Sequence, residues 1–92
     1  MRIVPAKTLV PGDHVISEFV FSTPDEAEAY MITLREMNQT QPTIFMVISV
    51  EHDIEIFVKN NPIFYSQVRL IDSTTGMMKR AVHRPNCFAM LV

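Results

Sequence analysis

Residues 22–39 read STPDEAEAYMITLREMNQ, and this stretch decides the fold because it is the one clear helical pattern in the chain. Thr23 is placed to cap the helix, Pro24 suits the first helical position, and Glu26 completes a Thr-x-x-Glu capping box. The apolar residues that recur on one side at helical spacing are Ala27, Tyr30, Met31, Leu34 and Met37. The stretch therefore predicts a one-sided surface helix from Thr23 to about Asn38.

The rest of the chain is dominated by strand patterns. Residues 14–21, HVISEFVF, alternate between two faces, and residues 43–50, TIFMVISV, are nearly all apolar. A continuous apolar run suits a central strand that is covered on both faces. Residues 54–59, IEIFVK, alternate again, and the intervening EHD predicts a tight hairpin. The side chains expected to point inward from this strand are Ile54, Ile56 and Val58.

The last third of the chain predicts a second hairpin and a closing strand. Residues 64–71, FYSQVRLI, and residues 77–82, MMKRAV, flank the polar segment DSTTG, which contains a glycine and is typical of a turn. Residues 87–92, CFAMLV, have an apolar strand pattern that follows an Arg-Pro-Asn turn. Because the strands follow one another closely, their pairing is expected to be largely antiparallel.

Together these elements predict a single α+β domain over residues 1–92. Their order is one strand, one helix and then about five strands. We expect the amphipathic helix to pack against a strongly bent, mainly antiparallel sheet of five or six strands, because short strands with tight turns tend to curl. A small SH3-like barrel with an inserted helix is the specific version of this fold that the pattern suggests.

Composition indicates a globular protein of the cytoplasm. Hydrophobic residues make up 48% of the chain and charged residues 20%, a balance that disordered chains lack. The single cysteine cannot form an intramolecular disulfide, so a reducing compartment is expected. Residues 1–15 lack the apolar run and small-residue cleavage site of a signal peptide. The longest apolar stretches are about six residues, so no membrane span is expected.

Charge is unevenly distributed along the chain, although the net charge is only −2. Residues 1–58 hold three cations and nine anions, a net charge of −6. Residues 59–92 hold five cations and one anion, a net charge of +4. This asymmetry favours association, either between copies of the chain or between a basic patch and an acidic partner.

The stretch GMMKRAVHRPNC, residues 76–87, concentrates basic residues and methionines near one turn. Methionine side chains are common at adaptable binding surfaces, and cations steer an acidic partner into contact. We therefore predict a small non-enzymatic module that binds or inhibits another protein, as an accessory protein of a bacterium or its virus would. The residues predicted to contact the partner are Phe57, Arg69, Met77, Met78, Lys79, Arg80 and Arg84. The same surface could instead join two copies of the chain.

A different class of function would use the same cations to bind RNA or DNA. Small barrels bind single strands through a basic groove in which bases stack on aromatic rings. The residues that could do so here are Tyr65, Arg69, Lys79, Arg80 and Arg84. The net charge of −2 weighs against this alternative, because nucleic-acid-binding domains are usually basic.

A third alternative is a zinc protein or a minor enzyme built on His83 and Cys87. Their His-x-x-x-Cys spacing occurs in zinc sites, and His14 and His52 are further candidate ligands. A structural zinc site usually has paired ligands at both ends, however, and the chain offers one pair. The usual motifs for nucleophilic, metallohydrolase and phosphate-loop chemistry are missing, so we predict no catalytic residues and no cofactor. Cys87 opens an apolar strand and fits a small buried residue better than a nucleophile.

Overall fold

The chain folds into one α-helix packed on a single antiparallel sheet of six strands, which confirms the predicted α+β class. The structure, a computed structural model, describes residues 2–16, 20–37 and 42–92. Its elements in chain order are β1 (Arg2–Pro5), a 3-10 turn (Ala6–Thr8), β2 (His14–Ile16), α1 (Pro24–Glu36), β3 (Ile44–Val58), β4 (Asn61–Asp72), β5 (Met78–His83) and β6 (Phe88–Leu91). The strand order is β1-β6-β2-β3-β4-β5. The sheet has β1 and β5 as edges and is not closed into a barrel among the described residues, so the SH3-like version of the fold stays a prediction.

Helix α1 begins where the capping box predicted it. The Thr23 hydroxyl accepts a hydrogen bond from the Glu26 N–H (3.2 Å), and the Glu26 carboxylate accepts one from the Ser22 N–H (3.1 Å). Such bonds satisfy backbone donors that have no partner within the helix. The helix ends at Glu36, and the predicted end at Asn38 lies outside the described residues. No helix in the described ranges is long and apolar enough to cross a membrane.

The hairpin predicted at EHD is wrong, because β3 runs through it as one strand of 15 residues. Asp53 has a φ of 57°, and the two residues His52 and Asp53 lie opposite the single residue Ser66 of β4. This arrangement is a β-bulge, which absorbs one residue without reversing the chain. The reversal comes later, at Lys59 and Asn60, whose φ values of 50° and 65° fit a two-residue hairpin turn.

The first strands differ in extent from the predicted ones. β2 covers His14–Ile16, and the predicted continuation through residues 17–19 lies outside the described residues. Phe21, at the end of the predicted strand, forms an isolated bridge with Phe88 through two backbone hydrogen bonds of 2.8 and 2.7 Å. β1 is missing from the predicted elements, because RIVP is short and ends in proline, which donates no backbone hydrogen bond.

A short connection shows that the sheet is strongly bent. Residues 84–87 link β5 to β6, although β4, β3 and β2 lie between these two strands in the sheet. Adjacent strands are about 4.8 Å apart, so in a flat sheet this connection would have to be almost fully extended. Residues 85–86 form a turn instead, so the two ends of the sheet approach each other. The predicted bend is therefore confirmed.

The core has two parts, one on each face of the bent sheet. The buried residues of the first part are Leu9, Val15, Phe45, Val47, Val68, Leu70 and Ala89. Ala81 of the edge strand β5 also packs against it, so this is the inner face of the bend. The buried residues of the second part, on the face that α1 covers, are Ile16, Ala27 and Met90. We refer to this second face as the helix face.

The hairpin of β3 and β4 extends beyond the rest of the sheet as an arm. β2 pairs with β3 only up to Met46, and β5 pairs with β4 only from Ser66 onward. Residues 54–65 therefore form a two-stranded arm, and the molecule measures 47 Å along its longest axis. Ile56 and Val58, predicted to point inward, are 42% and 44% exposed. That prediction is wrong, because α1 packs against β1 and β6, away from the arm.

Candidate functional site

The predicted contact residues gather at the edge of the sheet that β5 forms. β5 has β4 as its neighbour, in a register that places Arg69 opposite Arg80. Successive strand residues point to opposite faces, and Ala81 packs against the inner core, so Arg80 lies on the helix face. The side chains of β5 that share the helix face are Met78, Arg80 and Val82. We refer to residues 78–84 as the basic edge.

An open groove of about 460 Å³ lies on the helix face between the basic edge and the arm. Its lining residues are Ile56, Ile63, Tyr65, Gln67, Arg80, Val82 and Arg84. Its floor comes from β3 and β4, where Ile56 is paired with Ile63, and Tyr65 follows on the same face. Val82, on the rim, is 56% exposed. The groove therefore combines accessible apolar surface with two guanidinium groups.

The structure separates Lys79 from the predicted arginines. Lys79 is paired with Leu70, which belongs to the inner core, so it lies on the inner face. Its ammonium nitrogen lies 5.5 Å from the centre of the Phe45 ring, a distance at which cation and ring attract each other. The predicted arginines, by contrast, lie on the helix face or line the groove. The predicted cations thus occupy two surfaces.

The predicted apolar contact residues are also divided between two places. Met77 and Met78, at the start of β5, are 64% and 63% exposed. Phe57 is 70% exposed near the tip of the arm, where it is paired with Pro62. It is adjacent in sequence to Ile56, which lines the groove, so its side chain points to the opposite face. Phe57 therefore belongs to the arm and not to the groove.

The turn that leads into β5 is fixed by Asp72. Its carboxylate accepts hydrogen bonds from the Thr74 N–H (2.8 Å) and the Thr75 N–H (3.3 Å). The Gly76 N–H donates to the Asp72 carbonyl at 2.9 Å, and Gly76 has a φ of 75°, which glycine adopts without strain. The bond from the Thr74 N–H is the main cause that holds the pKa of Asp72 below its ordinary value of 3.8.

The lowered pKa of Asp72 predicts a pH-dependent contribution to stability. A carboxylate whose pKa is lowered by folding stabilises the fold fully when the pH is above its pKa in the unfolded chain, here 3.8. This stabilisation is lost as the pH falls through the pKa of the folded protein. We expect the wild type to have a larger free energy of unfolding than Asp72→Asn at neutral pH. This difference should vanish in acid. Urea titrations from about pH 7 to about pH 2 measure it, with Glu55→Gln as the control. A difference that is independent of pH would contradict the assignment.

A row of three polar residues crosses the inner face at the base of the arm. The His52 Nδ1 and the Ser66 hydroxyl oxygen share a hydrogen bond of 2.9 Å, and Ser66 is fully buried. His83 is the register partner of Ser66 on β5, and its Nδ1–H donates to the Arg84 carbonyl at 2.8 Å. The Nε2 atoms of both histidines are buried without a hydrogen-bond partner among the described residues. Since its hydroxyl is fully buried, Ser66 is not placed to attack a substrate.

The candidate zinc ligands lie on different elements. His83 ends β5, whereas the Cys87 carbonyl accepts a hydrogen bond of 2.8 Å from the Ala6 N–H, beside β1. His14 is exposed on β2, and His52 is bonded to the buried serine on β3. In the part of the chain that the structure describes, no group of three or more His, Cys, Asp or Glu side chains is placed to hold a metal ion. Cys87 is half-buried, a less covered position than the sequence predicted.

Sequence patterns identified the cations of this site but not the groove that two of them line. The groove exists because β3 continues past Asp53, which brings Ile56 into register with Ile63. The signal that could have placed the turn correctly is the run Lys-Asn-Asn at residues 59–61, since asparagine tolerates a positive φ.

No family model, curated protein or solved structure matches the chain. The residues of the groove and the basic edge are therefore the basis on which a function can be assigned. They provide apolar side chains, guanidinium groups and the backbone of an edge strand.

Proposed function

We propose that the protein is a non-enzymatic binding module that docks an acidic segment of another protein onto the groove and the basic edge. The observation that supports this most directly is the composition of the groove, in which Ile56, Val82 and Arg80 share one open surface. Exposed apolar surface rimmed by charged residues is typical of protein contact sites. Inhibition of the partner would follow if the docked segment were part of its active surface.

The groove and the basic edge together offer both contributions that such a contact needs. Burial of the exposed side chains of Val82 and Met78 would stabilise a complex by roughly 25 cal/mol for each Å² of apolar surface removed from water. Arg80 and Arg84 present guanidinium groups, which bind carboxylates with two parallel hydrogen bonds. The charges mainly accelerate association, and the apolar contacts mainly slow dissociation. A segment with carboxylates next to apolar residues fits both.

The same surface suits nucleic acid less well. Lys79 lies on the inner face and Arg80 on the helix face, so the cations do not form one track along which a phosphate backbone could lie. Tyr65 is half-buried in the floor of the groove, which limits the stacking of a base on its ring. The net charge of −2 adds repulsion from a polyanion. Another protein is therefore the partner that we favour.

The proposal includes a place of action. The single cysteine forms no disulfide within the chain, which is compatible with a reducing compartment. We therefore place the protein in the cytoplasm, as an accessory or inhibitory protein of a bacterium or its virus. The proposed binding function requires no cofactor and no catalytic residue.

Charge reversal at the groove tests the proposal. We expect peptides that are selected from a random display library on the immobilised protein to be acidic. Fluorescence anisotropy should show that Arg80→Glu/Arg84→Glu binds these peptides at least about tenfold more weakly than the wild type does. Both arginines are exposed, so the melting temperature should change little. Arg2→Glu, on the opposite edge strand β1, is the matched control and should bind as the wild type does. Selected peptides that lack acidic residues, or that ignore the reversal, would contradict the proposal.

The salt dependence of binding distinguishes a peptide partner from a nucleic acid. Binding of a single-stranded oligonucleotide through several phosphates weakens steeply and linearly in log affinity against log salt. A peptide held by two arginines and apolar contacts should show a much shallower slope. Anisotropy titrations with labelled oligothymidine and with the selected peptide, each over a range of salt concentrations, measure both slopes. Steeply salt-dependent oligonucleotide binding without peptide binding would replace the proposal with its nucleic-acid alternative.

A further inference from the structure

One hydrogen bond determines which backbone groups of β5 face away from the sheet. The Asp72 N–H donates to the Met77 carbonyl at 2.8 Å, one residue beyond the Ile71–Met78 pair that ends the β4–β5 register. This bond gives Asp72 and Met77 a hydrogen-bonded position in the ladder, although the Met77 N–H donates to the Thr75 hydroxyl. In antiparallel strands such pairs alternate with pairs whose backbone groups point outward. The residues of β5 whose backbone groups face β4 are therefore Lys79, Ala81 and His83. Those whose backbone groups face away are Met78, Arg80 and Val82.

We propose that the partner segment adds to the basic edge as a further strand, hydrogen-bonded to the outward backbone groups of Met78, Arg80 and Val82. β5 is the terminal strand of the sheet, so these groups form the row that an edge strand presents to another chain. In this mode of recognition the main-chain bonds provide affinity and alternate side chains provide specificity. The inference rests on the proposed function, because it states how the acidic segment is held at the same site.

The side chains at these three positions define the sequence that the added strand must have. They all lie on the helix face, and the side chains paired with them across the new ladder would lie on that face too. An acidic residue opposite Arg80, with apolar residues opposite Met78 and Val82, matches both charge and burial. The apolar residue opposite Val82 would also lie against the rim of the groove. The recognised element is therefore an extended apolar-x-acidic-x-apolar segment.

A second copy of β5 is a poorer occupant of this edge. Antiparallel pairing of two copies centred on Arg80 would place the two Arg80 side chains directly opposite each other. Pairing centred on Lys79 would do the same for two lysines. Like charges directly opposite destabilise a strand pair, and β5, MKRAVH, contains no acidic residue to offset them. In these two registers the edge resists pairing with itself, whereas it is complementary to an acidic strand.

Backbone-modified peptides test strand addition separately from side-chain docking. The probe is the labelled peptide Thr-Val-Thr-Glu-Thr-Val-Thr, which has the required pattern in either chain direction. One isomer is N-methylated on the amides of the glutamate and the second valine, and the other on the amides of the two threonines between the valines. A strand pairs along one side only, so we expect one isomer to bind about tenfold more weakly or worse and the other to match the parent. Equal affinity of the two isomers, measured by NMR titration, would overturn the inference.

Proline substitutions test the same bonds from the side of the protein. Val82→Pro removes an N–H that faces away from β4, and the fold should persist because edge strands tolerate proline at such positions. Ala81→Pro removes an N–H that faces β4 and should lower the melting temperature. Val82→Pro is expected to weaken binding of the parent peptide by about tenfold, and by more than Val82→Ala, which shortens the side chain but keeps the N–H. Wild-type affinity in a folded Val82→Pro would overturn the inference.

The outcomes separate this inference from the proposed function. If the peptide requires Arg80 but tolerates both N-methylation of its own amides and Val82→Pro in the protein, the docking site is retained and the added strand is overturned. Failure of this peptide and of every library peptide to bind would overturn both. A dimer in sedimentation equilibrium that Val82→Pro converts to a monomer would assign the edge to a second copy and overturn the acidic partner.

Discussion

Met90→Ala is expected to lower the free energy of unfolding by about 2–5 kcal/mol. Met90 is 1% exposed and lies beneath α1, in the buried cluster with Ile16 and Ala27. Its truncation removes contacts between the sheet and the helix, and it leaves a cavity that the methyl group of Ala27 is too small to fill. A domain of this length has a total stability of roughly 5–14 kcal/mol, so this one change removes a large fraction of it.

Urea denaturation followed by circular dichroism measures this effect as a lower midpoint at an unchanged slope. Met78→Ala is the matched control, because it makes the same chemical change at a side chain that is 63% exposed. The control should stay within about 0.5 kcal/mol of the wild type. A loss in Met90→Ala no greater than that in Met78→Ala would show that α1 does not pack on β6 as described.

Ser66→Ala is expected to lower the free energy of unfolding by about 1–3 kcal/mol, although it removes a single oxygen atom. The Ser66 hydroxyl is fully buried and shares its hydrogen bond of 2.9 Å with the His52 Nδ1. The Nε2 of this imidazole is already buried without a partner among the described residues. Without the hydroxyl, both ring nitrogens would lack a partner, so the full desolvation cost of the ring would remain.

Removal of the imidazole as well is expected to restore much of this stability. In Ser66→Ala/His52→Leu this pair leaves neither a donor nor an acceptor unsatisfied, and apolar replacement of both partners is often nearly neutral. The two single variants and the double variant form a cycle that yields the coupling energy of the pair. Ser49→Ala, at an exposed serine on β3, is the control. Strictly additive losses would show that the two side chains do not depend on each other.

The helix and the last hairpin were predictable because local chemistry decides both. Thr23 and Glu26 satisfy the first helical amides, and Asp72 with Gly76 shapes the turn before β5, each within a few residues. At Asp53 the local signal is misleading, because a polar residue with a positive φ occurs in a bulge as well as in a turn. Pairing along the whole length of β4 decides between them, and this is information that a short window of sequence lacks.

The candidate site was predictable as a set of charges but not as a surface. Alternation along one strand is enough to place Lys79 and Arg80 on opposite faces. The groove depends on the register among β3, β4 and β5, which moved Ile56 from a predicted core position to the lining. The burial of Ser66 likewise depends on which residues lie on both sides of it, and nothing in the strand pattern FYSQVRLI distinguishes this serine from an exposed one.

The position of β6 between β1 and β2 has a consequence for the order of events in folding. β3, β4 and β5 are joined by short turns, so their pairing closes only small loops. β6 instead pairs with strands far away in sequence, as Leu91 does with Arg2 and Val15. Contacts of high sequence separation form late, because the loop-closure entropy opposes them. The meander of β3, β4 and β5 is therefore the part expected to be structured in the folding transition state, and the later insertion of β6 stabilises the protein mainly by slowing its unfolding.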